Sequence, residues 1–351
     1  MTGWDREYLA NKEEYLTLFD SVMQKEQETN VEFLEKNLAE ITNRKYAVTC
    51  NSGTDALSYS LMSMGIRPND EVITSNFSWI STASCISMVG ATPVFCDINL
   101  DNYHLSYNSI KRMISNKTKA IVYPHLFGNM SDMEKIKKLG IPIIEDACQS
   151  LGSSYNGVVA GSIGDISTLS FNANKVVAGI SGGGAIGAIL TDEEDRAEFF
   201  RKIRKHGNNE FLGFNSKMLL FNAEVINFRL KRMNEWQAKR QEIAKIYDNA
   251  LKDLPVVTQK ITNGLNHNYH KYVVRFENKT IRDKVKDRVL NAKIHYNKPL
   301  SENPMYKNIS HKKDDCMNCK IVSDTILTLP LHPYLTKHEI KKMLSIIMVT
   351  V

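Results

Sequence analysis

IPIIEDACQSLGSSYNGVVAGSIGDISTLSFNANK, residues 141–175, holds two short β-branched runs, IPIIE (141–145) and ISTLSF (166–171), each followed by residues able to do chemistry. Working outward, similar apolar runs recur at YAVT (46–49), EVIT (71–74), TPVFC (92–96), AIVYP (120–124) and GAIGAIL (184–190). Segments with helical spacing lie between many of them, such as Asp55–Gly65 and Asp132–Leu139. Apolar runs alternating with helices predict crossover connections and a mainly parallel sheet covered on both faces, an α/β class fold. GISGGGAIG (179–187) is too rich in small residues for a helix and reads as a turn into a strand.

Downstream, Lys217–Leu251 lacks proline and glycine and repeats apolar residues at helical spacing. That predicts a helix long enough to bridge two domains, with or without a kink. After it HKYVVRF (270–276) alternates like a strand, TIRDKVKDRVLN (280–291) reads as a helix and KIHYN (293–297) as another strand. Thr336 is the expected N-cap of a closing helix. The expected organisation is a large domain over 1–235 and a smaller C-terminal α/β domain over 236–351, joined by the long helix.

Composition excludes several classes. The 351 residues are 42% hydrophobic and 24% charged, near globular averages, which argues against disorder or a fibrous repeat. No apolar run nears the roughly 18 residues of a membrane helix, and the first residues carry no apolar signal region, so a cytoplasmic protein with no membrane partner is expected. The net charge of +6 is spread in mixed runs, too diffuse for a nucleic-acid partner. Cys316-Met-Asn-Cys319 has the spacing of zinc and redox motifs, yet no second ligand pair accompanies it, so no metal is expected.

In a parallel α/β sheet, ligands sit beyond the carboxyl ends of the strands. After YAVT come Ser52, Gly53 and Thr54 before a helix, either a phosphate cradle or an ordinary N-cap. After IPIIE come Asp146 and Gln149; Asp146 could pair with a cationic ring nitrogen or cap a helix. Ser170 ends the ISTLSF strand, and Lys175 follows in a loop of small and apolar residues. Lys175 is either a surface lysine or, desolvated, a nucleophile of lowered pKa. Trp79, after the EVIT strand, is a core aromatic or the cover of a ring face. Taken together, a phosphate cradle, a carboxylate for a pyridinium nitrogen and a lysine for an aldehyde suit pyridoxal 5'-phosphate.

NSGTDAL (51–57), GATPVFCDI (90–98), HLFG (125–128), EDACQS (145–150), GSIGDISTLSFNANK (161–175), SGGGAI (181–186), KHG (205–207) and GFNSKM (213–218) follow one another in a telling order. With them the chain resembles the DegT/DnrJ/EryC1/StrS family of pyridoxal-phosphate-dependent nucleotide-sugar aminotransferases, from about residue 31 to LPLHPYLT. The resemblance implies the aspartate aminotransferase (type I) fold. It makes Lys175 the cofactor-carrying, proton-shuttling lysine, Asp146 the ring-nitrogen carboxylate and Gln149 the partner of the ring hydroxyl. Gly53, Thr54 and Ser170 match phosphate binders and Trp79 the stacking residue. Asn215 matches a residue reaching the neighbouring subunit's phosphate, which implies a homodimer with shared active sites.

The same resemblance places His295 and Tyr296 near the sugar nucleotide. Lys217 stands where many relatives have arginine, which keeps the charge but not a bidentate grip on a carboxylate. Sugar dehydratases of this fold carry histidine at the lysine position, so Lys175 favours aminotransfer. The implied substrates are L-glutamate and a nucleotide-linked keto-deoxysugar, with C-4 slightly favoured over C-3 as our own choice. The alternatives are an aminotransferase on a smaller phosphorylated or cyclitol ketone, or a catalytically silent cofactor-binding regulatory protein. The implied product is an amino-deoxysugar for a glycan such as O-antigen, lipopolysaccharide or capsule.

Overall fold

The computed structural model describes residues 3–24, 29–180 and 186–351; the glycine-rich run at 181–185 of the expected turn lies outside the described residues. Three helices open the chain: α1 (Gly3–Ala10), α2 (Lys12–Met23) and α3 (Thr29–Ile41). Strand and helix then alternate: β1 (Tyr46–Cys50), α4 (Gly53–Ser63), β2 (Glu71–Ser75), α5 (Ser81–Met88), β3 (Thr92–Cys96), α6 (Tyr107–Met113), β4 (Thr118–Pro124), α7 (Glu134–Lys137) and β5 (Ile143–Asp146). A small hairpin, β6 (Ser154–Tyr155) and β7 (Val158–Val159), precedes β8 (Ile166–Ser170), β9 (Gly187–Thr191) and α8 (Glu194–Ile203).

Each apolar run read from the sequence between residues 46 and 190 contributes a strand to one sheet of order β1-β9-β8-β5-β4-β2-β3. From β8 through β5, β4 and β2 to β3 the pairs are parallel, while β9 runs antiparallel to both β1 and β8. The runs lack polar alternation because both faces are covered: β2 and β9 are buried at every residue. Each fully buried Val or Ile contributes about 1.5–3 kcal/mol, so the sheet centre holds the fold together. The strands other than β9 all end on one edge, and that edge carries the site.

The predicted bridging helix is two: α9 (Leu220–Leu230) and α10 (Met233–Leu251), broken at Lys231 and Arg232. Beyond it lie β10 (Val256–Thr258), β11 (Leu265–Asn266), β12 (Tyr272–Phe276), α11 (Lys279–Arg288), β13 (Lys312–Lys313), α12 (Met317–Thr325), β14 (Ile326–Leu329) and α13 (Lys337–Met348). β10, β12 and β14 form an antiparallel sheet whose apolar side chains pack with Ile243, Tyr247 and Ile340 in a second core. Thr336 caps α13 in a capping box with Glu339, as its spacing predicts.

KIHYN corrects the sequence reading, for it is no strand. Only Lys293 forms a bridge, to Thr328, after which the chain leaves the sheet and His295 and Tyr296 turn to partners in the site. β13 is equally unforeseen: two exposed lysines extend the large sheet beside β3, so the C-terminal chain returns to the first unit. The β6–β7 hairpin has a local signal in Asn156-Gly157, both at positive φ, the pair that a tight hairpin turn favours.

Candidate active site

α4 begins one residue after Ser52, whose side chain accepts the Asp55 N–H at 2.9 Å. The start of the helix lies against the end of β8. A Cβ placed on Gly53 would come within 3.0 Å of Ser170 Cβ and 3.3 Å of Cys148 Sγ. A side chain there would have to push Ser170 or Cys148 aside, so glycine suits this close approach of the α4 start, with its backbone N–H groups and the Thr54 hydroxyl, to Ser170. Thr54 Oγ1 is 2.7 Å from Ser81 Oγ at the start of α5.

Asp146, at the end of β5, is only 7% exposed and caps no helix. Its Oδ2 accepts from the Thr82 hydroxyl at 3.0 Å and its Oδ1 from the Cys148 N–H at 3.2 Å. Immediately behind it the buried Glu145 carboxylate accepts the N–H groups of Gly161, Ile163 and Gly164, the Ser167 hydroxyl, and a bond with His125. Burial alone would raise the Glu145 carboxyl, but His125 and those N–H groups outweigh it and hold it at about 2.

Lys175 is partly buried, one turn past Asn172. Burial pulls its ammonium below the usual lysine range, and Cys148 and Asp146 act the other way. Burial also keeps Cys148 a neutral thiol, so the Asp146 carboxylate is the anion that matters. Lys175 is thus the desolvated lysine and not the surface one.

Gln149 Oε1 accepts the Phe127 N–H at 2.9 Å and its Nε2 donates to the Tyr296 hydroxyl at 3.2 Å. The Tyr296 ring lies 5.7 Å from Phe77, 6.2 Å from Trp79 and 6.4 Å from Phe127. Trp79 is 55% exposed, so its indole faces open space at the site and is not a core aromatic. His295 Nδ1 is 2.8 Å from Thr328 Oγ1; burial, then Lys271, Lys293 and Lys175, push it down to about 3, so it is neutral at physiological pH.

Asn215 and Lys217 are exposed on the loop after α8 and, among the described residues, make no hydrogen bond to the Lys175–Asp146 cluster of this chain. Ser216 between them is buried and moors the loop to α4, donating to Asp55 Oδ2 at 2.6 Å and accepting the Asn51 N–H at 3.0 Å. Cys316 and Cys319 are buried although polar residues flank them in HKKDDCMNCK, and Asp97 lies with them inside 4.8 Å. The two Asp97 oxygens accept the N–H groups of Asn318 and Cys319, which caps α12.

Sequence reasoning missed the groups beyond Lys175. A cleft of about 810 Å³ runs from Lys175 past Trp236, Arg240, His270, Lys271, Lys293 and His295. Lys271 had a readable signal, being a lysine in an alternating strand pattern on the same side as Val273, which packs inward with Phe77 and Phe127. Thr82 had none, and Glu145 and His125 stood only inside the EDACQS and HLFG motifs with no sign of their pairing, since their partners are far away in sequence.

The model of the DegT/DnrJ/EryC1/StrS aminotransferase family matches residues 10–348. A UDP-2-acetamido-2-deoxy-3-oxo-D-glucuronate aminotransferase of Pseudomonas aeruginosa is 33% identical over 88% of this chain and 87% of its own. A "pleiotropic regulatory protein" of Geobacillus stearothermophilus is 30% identical over 97% of this chain and 95% of its own. Among solved structures, S. venezuelae DesV in complex with a ketimine intermediate superposes with a TM-score of 0.92 at 26% identity, covering 97% of this chain and 95% of that one.

Proposed function

Because the chain belongs to the DegT/DnrJ/EryC1/StrS aminotransferase family, we propose that it moves an amino group from L-glutamate to the keto carbon of a nucleotide-linked keto-deoxysugar. It is a pyridoxal-phosphate-dependent sugar aminotransferase of the type I fold. The observation that carries the finer reading is the meeting, on one sheet edge, of a desolvated lysine, a buried carboxylate and a glycine-lined cradle at a helix start. These fit the cofactor: the cradle of Gly53, Thr54 and Ser170 would hold its phosphate, Asp146 its ring nitrogen, Gln149 its ring hydroxyl and Lys175 its aldehyde carbon. When bound, the cofactor supplies an electron sink for a carbanion at the amine carbon.

This chain's residues do the rest. Lys175 Nζ, kept below an ordinary lysine by burial, takes the proton from the donor's amine carbon and returns one in the second half-reaction. The Asp146 carboxylate, fixed by Thr82 and the Cys148 N–H, stabilises positive charge at the ring nitrogen. Trp79 and Tyr296 cover the ring and exclude water, with His295 and Tyr296 at the sugar side and Lys217 at its rim.

The enzyme works as a homodimer in the cytoplasm, with Asn215 reaching the partner's phosphate cradle. Supporting this, Asn215 lies on a loop whose Leu212 is 97% exposed and which ends at Leu219, 66% exposed, apolar surface of the kind an interface covers. Among the described residues no helix is long and apolar enough to cross a membrane. The product is an amino-deoxysugar for a glycan such as O-antigen or capsule. C-4 is the slightly favoured position of amination; the Pseudomonas relative is named for a 3-oxo substrate, so both positions belong in the assay.

The test is spectroscopic. With pyridoxal phosphate the protein should show the visible band of lysine-bound cofactor, L-glutamate should bleach it, and nucleotide-linked 3-keto and 4-keto sugars should restore it. Lys175→Ala should do none of this. The regulatory name of the Geobacillus relative favours a second reading, a cofactor-binding protein without turnover. A band that no amino donor bleaches would establish that reading instead.

A further inference from the structure

The cleft beyond Lys175 is unevenly charged. Its lysines outnumber its carboxylates, and the carboxylates are engaged: Glu7 is paired with Arg229, and Glu339 with Arg6 and the start of α13. Lys271 is different. It sits at the start of β12, its N–H bonded to the Phe127 carbonyl at 3.2 Å, which fixes its backbone beside the residue that also holds Gln149. Its side chain is partly buried and, among the described residues, has no hydrogen-bond acceptor or ion-pair partner.

The charged groups that face Lys271 are Lys175, Arg240 and Lys293, all cationic. Arg240 is committed elsewhere, donating to the Tyr269 and Leu331 carbonyls at 3.1 and 3.0 Å. His270 and His295 are held neutral by burial and neighbouring cations, so they add no charge of either sign. A partly buried ammonium among like charges is costly unless an anion arrives. Burial, then Lys175, Arg240 and Lys293, bring it down to about 7.

We propose that Lys271 binds a carboxylate carried by a substrate, with Lys293 as a second cation at the mouth of the same cleft; this rests on the aminotransferase reading above. Two substrate parts supply that chemistry: a carboxylate of the amino donor, or one on the acceptor sugar. In the first case Lys271 does the gripping expected of Lys217. A lysine accepts either as a point charge, without the bidentate geometry an arginine would demand.

The experiment uses the protein loaded with pyridoxal phosphate and measures binding by calorimetry, so that turnover is not needed. Glutarate, which has no amine to react, probes the donor; UDP-glucuronate against UDP-glucose probes the sugar. Lys271→Met should weaken glutarate binding, or abolish the preference for UDP-glucuronate, by roughly tenfold to a hundredfold, with the visible cofactor band unchanged. Lys271→Arg, which keeps the charge, should retain binding and guards against a folding artefact in the methionine variant. The probe that responds identifies the source of the carboxylate. Equal binding by wild type and Lys271→Met for both probes, or no binding to wild type, overturns the proposal. Should glutarate binding depend on Lys271 while no amino donor bleaches the band, the aminotransfer reading falls and the anion site stands.

Discussion

Glu145→Gln tests the support under the site. Glu145 is wholly buried; its Oε1 accepts the Gly161 N–H at 2.7 Å and lies 3.1 Å from His125 Nε2. Its Oε2 accepts the Ile163 N–H at 2.8 Å, the Gly164 N–H at 3.1 Å and the Ser167 hydroxyl at 2.8 Å. A glutamine fills the same space but replaces one oxygen with an –NH₂. The Ser167 hydroxyl and the His125 ring can reverse their roles, whereas a backbone N–H cannot. Whichever way the amide turns, it faces either Gly161 or the Ile163–Gly164 pair with donor against donor.

One orphaned buried donor costs about 1–3 kcal/mol, and the favourable orientation leaves one. A second route agrees: a carboxyl held at about 2 instead of 4.5 contributes about 3 kcal/mol at neutral pH. Because the folded value is the depressed one, that stability is complete above pH 4.5 and is lost as the pH falls through 2. Urea unfolding at pH 7 should therefore show the variant less stable by about 3 kcal/mol. The gap to wild type should close as the pH is lowered from 4.5 towards 2. A difference under about 1 kcal/mol, or one that persists unchanged into acid, would refute the reasoning. Since Glu145 precedes Asp146 on β5, the variant should also hold the cofactor more weakly.

Gly53→Ala places a methyl 3.0 Å from Ser170 Cβ, inside the cradle, and should weaken cofactor binding by roughly tenfold or more, read by equilibrium dialysis, while the far-ultraviolet dichroism stays that of wild type. Leu212→Asp puts a charge on the most exposed apolar side chain of the loop carrying Asn215; sedimentation should find monomers, and the loss of shared sites should abolish turnover. Dialysis against EDTA should leave folding and activity intact, because Asp97 already spends both oxygens on the N–H groups of α12 and, among the described residues, only Cys316 and Cys319 stand beside it as further ligands. Stoichiometric zinc in the purified protein, with unfolding on its removal, would contradict that.

Much of the site was legible because its parts are short and local. Ser52 caps the helix it opens by bonding the Asp55 N–H three residues on, and Asp146 ends a run of four buried residues. The wrong strand at KIHYN and the unforeseen β13 share a cause: neither segment's geometry is decided by its own residues. Tyr296 is drawn away from the sheet by Gln149, 147 positions earlier, and β13 exists only because β3 offers an open edge. Asp97, Cys316 and Cys319 are likewise assembled across more than 200 positions.

By itself the sequence determined the alternation of strands and helices between residues 46 and 190, the capped starts of α4 and α13, and the place of Lys175 just past the end of β8. These follow from hydrophobic period and from side chains bonding the backbone within a few residues. Only the tertiary structure decided that Lys175 is desolvated, that Glu145 stays ionised while buried, and that Lys271 stands among cations with no partner among the described residues. Burial and the sum of neighbouring charges depend on elements brought together from distant parts of the chain, and no local pattern encodes that sum.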